Sequence, residues 1–432
     1  MSTADRLVVA LPYGRGRLEV ALPAARTTVV SPAHHPAAAD PAAVLRQALR
    51  EPVAGPPLRE IVRPGETVAV SICDATRPQP RREMLEALLA ELDGIVATED
   101  VTVLVATGSH RGNTDAELRA MLGDHLVDTL RIVNHDARRT EDLVWCGEHG
   151  AGVPVWLNRW WTGADRRITT GFVEPHFFAG FSGGPKLVAP GLAGLETILT
   201  LHDATRIGSP KATWAICEGN PVHDDVRAIA AATGVDLALD VVLNQDQRIV
   251  SAFAGEVLAM HAAAREQVRR VSMRPVDGLF DIVVTTNAGY PLDQNLYQAV
   301  KGISAAATII RPGGLILCAA ECSDGLPDHG SFREELEREP TAARLLASIN
   351  ARTRTMPDQW QVQVLARVLT RARVGVHASG LSSAELAAAH VIPVDDIAAA
   401  VATELAGLGP DARVGVLPEG PQTIPYVAGA AS

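Results

Sequence analysis

The sequence predicts an α/β fold made of two α/β domains, with the active site expected in the cleft between them. Two patterns carry this reading. Short Val-rich apolar runs end in turn residues and alternate with segments of helical apolar spacing, which is how a parallel sheet with crossover helices is written. The pattern then restarts after "MRPVDGLF" (273–280), marking a boundary.

Taken in order, "TVAVSICD" (67–74) and "VTVLVATG" (101–108) read as strands, and 81–93 reads as a helix. Residues 114–122 begin with Thr114 and, three positions on, Glu117, the signature of a capping box. "RRITTGFV" (166–173) is strand-like, and 195–207 reads as one helix. "DLALDVVLNQDQRIVSAFAG" (236–255) reads as two strands around a polar turn, followed by a helix over 256–272. Beyond the boundary come the strand "DIVVTTN", the helix "NLYQAVKGISAA" and the strand "GGLILCAAEC". Helical segments and "VGVHASG" follow. The expected division is an N-terminal domain over 1–273 and a smaller one over 278–411. The segment 412–432 is expected to return to the first domain as a last strand.

The chain has 432 residues, 47% of them hydrophobic, enough for a sizeable core. Its net charge of −11 argues against non-specific nucleic-acid binding and a basic membrane surface. The five cysteines include no CxxC pair. Cys318 and Cys322 form only a CxxxC, so reduced thiols are the simpler expectation. The N-terminus lacks a signal-peptide apolar region and no stretch reaches the length of a membrane span. A soluble cytoplasmic protein is expected.

In open α/β sheets, ligands bind at the carboxyl ends of the strands. The loops "CDATRP" and "ATGSHRGN" lie at such ends, as does "GFVEPHFFAGFSGGPKLVAPG" (171–191). Glycine lets backbone approach a ligand closely. A lysine held in apolar surroundings is a potential nucleophile, so Lys186 is either an attachment point or the partner of a carboxylate such as Glu174 or Glu196. His110 and His176, each just past a strand, are candidate proton-transfer groups. His202, on the helix after the glycine-rich loop, is a candidate metal ligand. Asp74, Ala75, Thr76 and Arg77 put a carboxylate, a hydroxyl and a guanidinium in one short loop. Arg77 suits bidentate binding of a carboxylate or phosphate. Tyr297 and Lys301 lie one helical turn apart on one face, while the adjacent Gln298 is expected to point elsewhere, by about 100° on an ideal helix.

The set "DATRP", "ATGSHR", "EPHFFAGFSGGPKLVAPG", "LETILTLH", "NLYQAVKG" and "DQWQ" resembles the lactate racemase family, in order, from residue 74 to about 360. The resemblance implies an isomerase, a racemase or epimerase of lactate or a related 2-hydroxy acid. It implies a nickel-pincer nucleotide, a pyridinium bisthiocarboxylic acid mononucleotide, linked to Lys186, with His202 as the protein ligand to nickel. His110 and His176 are implied as the two acid/base groups of a reversible hydride transfer. Asp74, Ala75, Thr76 and Arg77 are implied as cofactor contacts. Arg77, Tyr297, Gln298, Lys301 and Trp360 are implied on the substrate side. Transient encounters with cofactor-maturation proteins follow from the same resemblance.

Three readings compete. A non-catalytic nickel- or nucleotide-binding homologue would keep the fold without turnover. A NAD-linked oxidoreductase using Tyr297 and Lys301 lacks a GxGxxG between strand and helix. A zinc hydrolase lacks HExxH.

Overall fold

The computed structural model describes residues 6–327 and 330–429. The chain divides into two compact units. One comprises His34–His202 and Ser209–Arg270; the other comprises the chain up to Ala33, Asp203–Gly208 and the chain from Val271 on.

The first unit is built on a six-stranded sheet. Its strands, in spatial order, are Ile249–Gly255, Leu237–Leu243, Arg166–Phe172, Val68–Cys73, Val101–Ala106 and Arg131–Asn134. All pairings are parallel except that between Ile249–Gly255 and Leu237–Leu243. Side chains alternate across a strand, and the sequence uses both faces. Val68, Val70 and Ile72 enter one apolar cluster with Met84, Leu85 and Leu88 of the helix Arg81–Leu92. Ala69 enters another with Val226, Ile229 and Ala230 of the helix Pro221–Thr233. With both faces covered, the strand Val68–Cys73 is buried throughout, which is why it reads as a continuous apolar run.

Chain direction across this sheet reverses beside Val68–Cys73. Successive strands run outward on one side to Val101–Ala106 and Arg131–Asn134. The next, Arg166–Phe172, returns to pair on the other side. Such a switch point leaves a crevice at the carboxyl ends of its two strands, and the loops beginning at Asp74 and Val173 rise from it.

The second unit holds another six-stranded parallel sheet, in the order Ile392–Pro393, Arg373–His377, Ile310–Ala319, Phe280–Thr286, Val414–Leu417 and Thr27–Val29. Two expectations about domain membership are corrected here. The strand Val414–Leu417 pairs in parallel with Phe280–Thr286 rather than returning to the first domain. The start of the chain also belongs to this unit, because Thr27–Val29 pairs with the other edge of Val414–Leu417. The cause is burial. All four residues of Val414–Leu417 are buried, so the strand needs a neighbour on each edge. The hairpin Arg6–Tyr13/Gly16–Pro23 buries Val9, Leu11, Val20 and Leu22 against Ile282, Val284 and Leu317 of the same unit. Residues 1–5 and 430–432 of the expected segments lie outside the described residues.

The remaining elements follow their sequence signals closely. The capping box is present, with Thr114 Oγ1 accepting from Glu117 N and the Glu117 carboxylate accepting from Thr114 N. One helix differs. The expected 195–207 segment is two helices, Leu195–Leu201 and Ala204–Gly208. Asp203 interrupts it, its carboxylate accepting the Arg206 N–H at 2.7 Å as a local cap. Among the described residues no helix is long and apolar enough to cross a membrane.

Thr114→Ala removes the side-chain half of the capping box. Chemical denaturation should show a loss of about 1 kcal/mol; an unchanged midpoint would mean that the cap is idle.

Candidate active site

Three loops at neighbouring strand ends of the first unit carry most of the sequence-derived candidates. The loop after Val68–Cys73 starts at Asp74, only 3% exposed. Asp74 Oδ1 accepts from the Thr76 hydroxyl at 2.6 Å and the Thr76 N–H at 3.1 Å. Its Oδ2 lies 2.7 Å from His110 Nδ1. Burial works to raise the Asp74 pKa, but the His110 hydrogen bond and charge, the Arg77 charge and the Thr76 bond together hold it below the ordinary value. An ionised carboxylate only accepts, so His110 donates through Nδ1–H and its Nε2 is the basic nitrogen of the neutral ring. Ala75 and Thr76 are exposed and Arg77 half-buried.

The glycine-rich loop follows Arg166–Phe172. Pro175–His176 turns back on Gly180–Phe181 as a short antiparallel pair. Gly180 has φ +77°, and a Cβ there would run into the Ile216 carbonyl. His176 Nδ1 faces the backbone N–H groups of Ala179 and Phe178 at 3.3 and 3.5 Å. Accepting there places the hydrogen of the neutral ring on Nε2. The two candidate bases are thus held in opposite tautomers.

Phe178 is the centre of this loop. Its ring lies 4.5 Å from the His176 ring and 5.3 Å from the His202 ring, centroid to centroid, both edge-on. Lys186 Nζ is 6.0 Å from the same centroid. One aromatic ring therefore spaces three candidate residues from three points of the sequence. Lys186 sits in the short turn Gly184–Leu187. Ser71 Oγ, buried in the central strand, donates to the Leu187 carbonyl at 2.9 Å. Gly108 N donates to Gly191 O at 3.0 Å, and Gly191 N to Lys186 O at 3.1 Å, so the His110 loop is tied to the Lys186 turn. Of the carboxylates considered as partners for Lys186, Glu196 accepts from Trp156 Nε1 at 3.1 Å.

The underside of the loop is held by polar groups that sequence reasoning missed. Asp240, fully buried, accepts from Gly184 N through Oδ2 at 2.6 Å, while its Oδ1 has no hydrogen-bond partner. Burial pushes its pKa up to about 7 against the pull of the Gly184 N–H. His261 Nε2 bonds Ser182 O at 2.8 Å. His223 bonds the Ala179 backbone and accepts from Arg265 Nη1 at 3.3 Å. Burial, then the Arg265 and Arg227 charges, press its pKa down to about 3, so it is neutral near pH 7. Asp240 had a signal in the sequence: one carboxylate inside the apolar run "LALDVVL". Phe178 had none beyond its place in the loop.

His202 ends the helix Leu195–Leu201 and is buried, with Nδ1 2.7 Å from the Ile198 carbonyl. Donation through Nδ1–H leaves Nε2 as the nitrogen able to meet a metal. Among the described residues no group of three or more His, Cys, Asp or Glu could hold a metal ion. A single buried imidazole fits a metal that brings most of its donors with it. Cys318 and Cys322 are buried free thiols, with burial raising both pKa values, that of Cys322 to about 12.

The other four candidates belong to the second unit. Trp360 Nε1 donates to the Tyr297 hydroxyl at 3.2 Å, and Gln361 Nε2 bonds the Tyr297 carbonyl. Lys301 Nζ donates to Gln298 Oε1 at 2.8 Å. That bond runs to the residue three positions back, not to Tyr297 at four.

Comparisons with known proteins find matches over both parts of the chain. Residues 13–215 match the family model described as the lactate racemase N-terminal domain, and residues 277–424 match the lactate racemase C-terminal domain. The lactate racemase of Thermoanaerobacterium thermosaccharolyticum is 32% identical over 425 residues, covering 96% of this chain and 98% of that protein. The lactate racemase of Lactiplantibacillus plantarum is 34% identical over 378 residues, covering 87% of this chain and 89% of that one. The structure of the Thermoanaerobacterium apoprotein superposes with a TM-score of 0.92, over 97% of this chain and all of that one. A Thermotoga maritima protein at 17% identity and TM-score 0.66 shares the fold.

Fold and matches together define an α/β isomerase of the racemase class. The chain belongs to the lactate racemase family.

Asp240 generates a pH prediction. Its folded-state pKa, about 7, lies above the ordinary 3.8. Such a group favours the folded state at low pH and loses that contribution as pH rises from about 4 to about 7. Asp240→Asn mimics the neutral acid, so it should gain stability relative to the parent across that window. Urea midpoints at pH 5 and pH 8 test this; parallel curves would show that Asp240 does not titrate there.

Proposed function

We propose that this protein racemises or epimerises a 2-hydroxy acid, lactate or a related 2-hydroxy carboxylate, at the strand ends of its first unit. The observation that carries the reading is the convergence of His176, His202 and Lys186 on the Phe178 ring. The Asp74–His110 pair on the adjacent loop supports it, as do the names of the relatives.

In this reading Lys186 forms the covalent link to a nickel-pincer nucleotide, and His202 Nε2 is the protein ligand to nickel. The loop Asp74, Ala75, Thr76 and Arg77 binds the nucleotide. When bound, the cofactor supplies a reversible hydride acceptor. His110 takes the substrate hydroxyl proton at Nε2. Asp74 keeps that nitrogen bare and stabilises the imidazolium that forms. His176 is the second acid/base group, serving the opposite hand of the substrate. At rest its Nε2 carries hydrogen, so it acts as base only after shifting that hydrogen to Nδ1. Arg77 holds the substrate carboxylate through its fixed fork of donors. Tyr297, Gln298, Lys301 and Trp360 are assigned as substrate contacts, on resemblance to the family. The five free cysteines favour a reducing compartment such as the cytoplasm. Loading requires cofactor-maturation proteins as transient partners.

The test is to produce the chain together with a full set of maturation enzymes. The expected result is a mass gain mapping to Lys186, about one nickel per chain, and interconversion of enantiomers on a chiral panel of 2-hydroxy acids. Lys186→Ala should abolish the adduct. His110→Ala and His176→Ala should each lower turnover by about a hundredfold or more, the usual scale of general acid–base catalysis. Loaded protein inert on the whole panel would favour a nickel-binding homologue instead.

A further inference from the structure

Arg81 is a charge in an unfavourable place. It is 6% exposed and makes no ion pair among the described residues. It is also the first residue of the helix Arg81–Leu92, where the positive end of the helix dipole disfavours a cation. Burial lowers its pKa. A buried charge of this kind persists only where hydrogen bonds offset its desolvation.

Those bonds all run to one loop. Arg81 Nε donates to Cys73 O at 2.7 Å, and Nη1 donates to Gln79 O at 3.1 Å. Nη2 donates to Arg77 O at 2.6 Å and also to Asp74 O. A trans peptide points its N–H opposite to its carbonyl. With the Cys73 and Asp74 carbonyls turned inward, the N–H groups of Asp74 and Ala75 face away from Arg81. The other two carbonyls precede Pro78 and Pro80, which have no N–H to be stranded. The sequence of the loop suits a guanidinium at its centre.

We infer that Arg81 is a positioning residue: by gathering four carbonyls of the 73–79 loop it sets the backbone from which Asp74 grips His110 Nδ1. It touches neither His110 nor any reacting atom. A lysine could not replace it, because one ammonium cannot reach acceptors spread around a planar fork. The inference rests on reading His110 as a base, but its test needs no turnover.

The experiment uses isotope-labelled protein without cofactor and compares the parent with Arg81→Lys and Arg81→Gln. Leu88→Ala serves as control: Leu88 is a core residue of the same helix, and its loss removes apolar packing while leaving every hydrogen bond of the Arg81 guanidinium available. Two NMR signals are followed, the titration of the Asp74 carboxyl and the hydrogen-bonded Nδ1–H of His110. In both Arg81 variants the Asp74 titration should move up and the Nδ1–H signal should disappear. Leu88→Ala should melt at a lower temperature yet keep both signals. A folded Arg81 variant with both signals intact overturns the inference, as does their loss in Leu88→Ala. Should neither Arg81 variant fold, the guanidinium hydrogens of the parent decide: slow exchange with solvent supports the clamp and free exchange overturns it. Intact signals in the parent together with failed turnover would count against the racemase reading alone.

Discussion

The hydrogen bond from Ser71 to the Leu187 carbonyl is the constraint on which the site depends. Ser71 sits in a fully buried strand, so its hydroxyl must find a partner inside the protein. It finds one in the turn that presents Lys186. The same network continues: Thr170 Oγ1 donates to Ser71 O at 2.9 Å, and Gln79 Nε2 donates to Thr170 Oγ1 at 2.8 Å. Gln79 Oε1 in turn accepts from Cys73 N at 2.7 Å. The two loops on either side of the switch point are thereby tied through the sheet itself. Neither can shift without stranding a buried polar group, which costs about 1–3 kcal/mol.

Electrostatics around the site divide by depth. On the loops, Asp74 is held ionised by its neighbours and orients His110. Beneath them, burial dominates, and His223 and Asp240 are driven towards their neutral forms. Neutral groups can brace a loop without adding charge to it. On the loops the Asp74 carboxylate and the Arg77 guanidinium remain charged, while the Asp240 carboxyl and the His223 imidazole beneath them are not held so.

Much of this could be read from the residues. The Val-rich runs became the parallel strands because burial on both faces leaves no polar alternation to mislead. The capping box at Thr114 was visible because its two halves are local in sequence. The helix break at Asp203 was not, since the apolar period continues through it and only a local side-chain bond interrupts it. The placement of Val414–Leu417 was missed for a different reason. A short apolar strand fits any open sheet edge, and only long-range pairing with Phe280–Thr286 and Thr27–Val29 decides which. At the site, the histidines and the lysine were legible as chemistry. The convergence of His176, His202 and Lys186 on Phe178 and the support from Asp240 and Arg81 were not, because most of those contacts join residues distant in sequence or hide in an ordinary helix start.

Asp240 and its glycine neighbours also bear on how this site can change over time. A side-chain carbon at Gly171 would lie 2.8 Å from Asp240 Oδ1, and one at Gly183 would lie 2.5 Å from Oδ2. Gly183 is further confined by its φ of +76°, but Gly171 has no such restriction. Position 171 is therefore glycine because of what stands at position 240 and because Leu187 Cδ2 would lie 2.9 Å from the same carbon. In a lineage where 240 became smaller and the end of the Leu187 side chain turned aside, alanine at 171 would be accepted, and the aspartate could not then return without first undoing it. The order of substitutions matters there, so the pair acts as a one-way gate on the descent of the lysine-bearing loop.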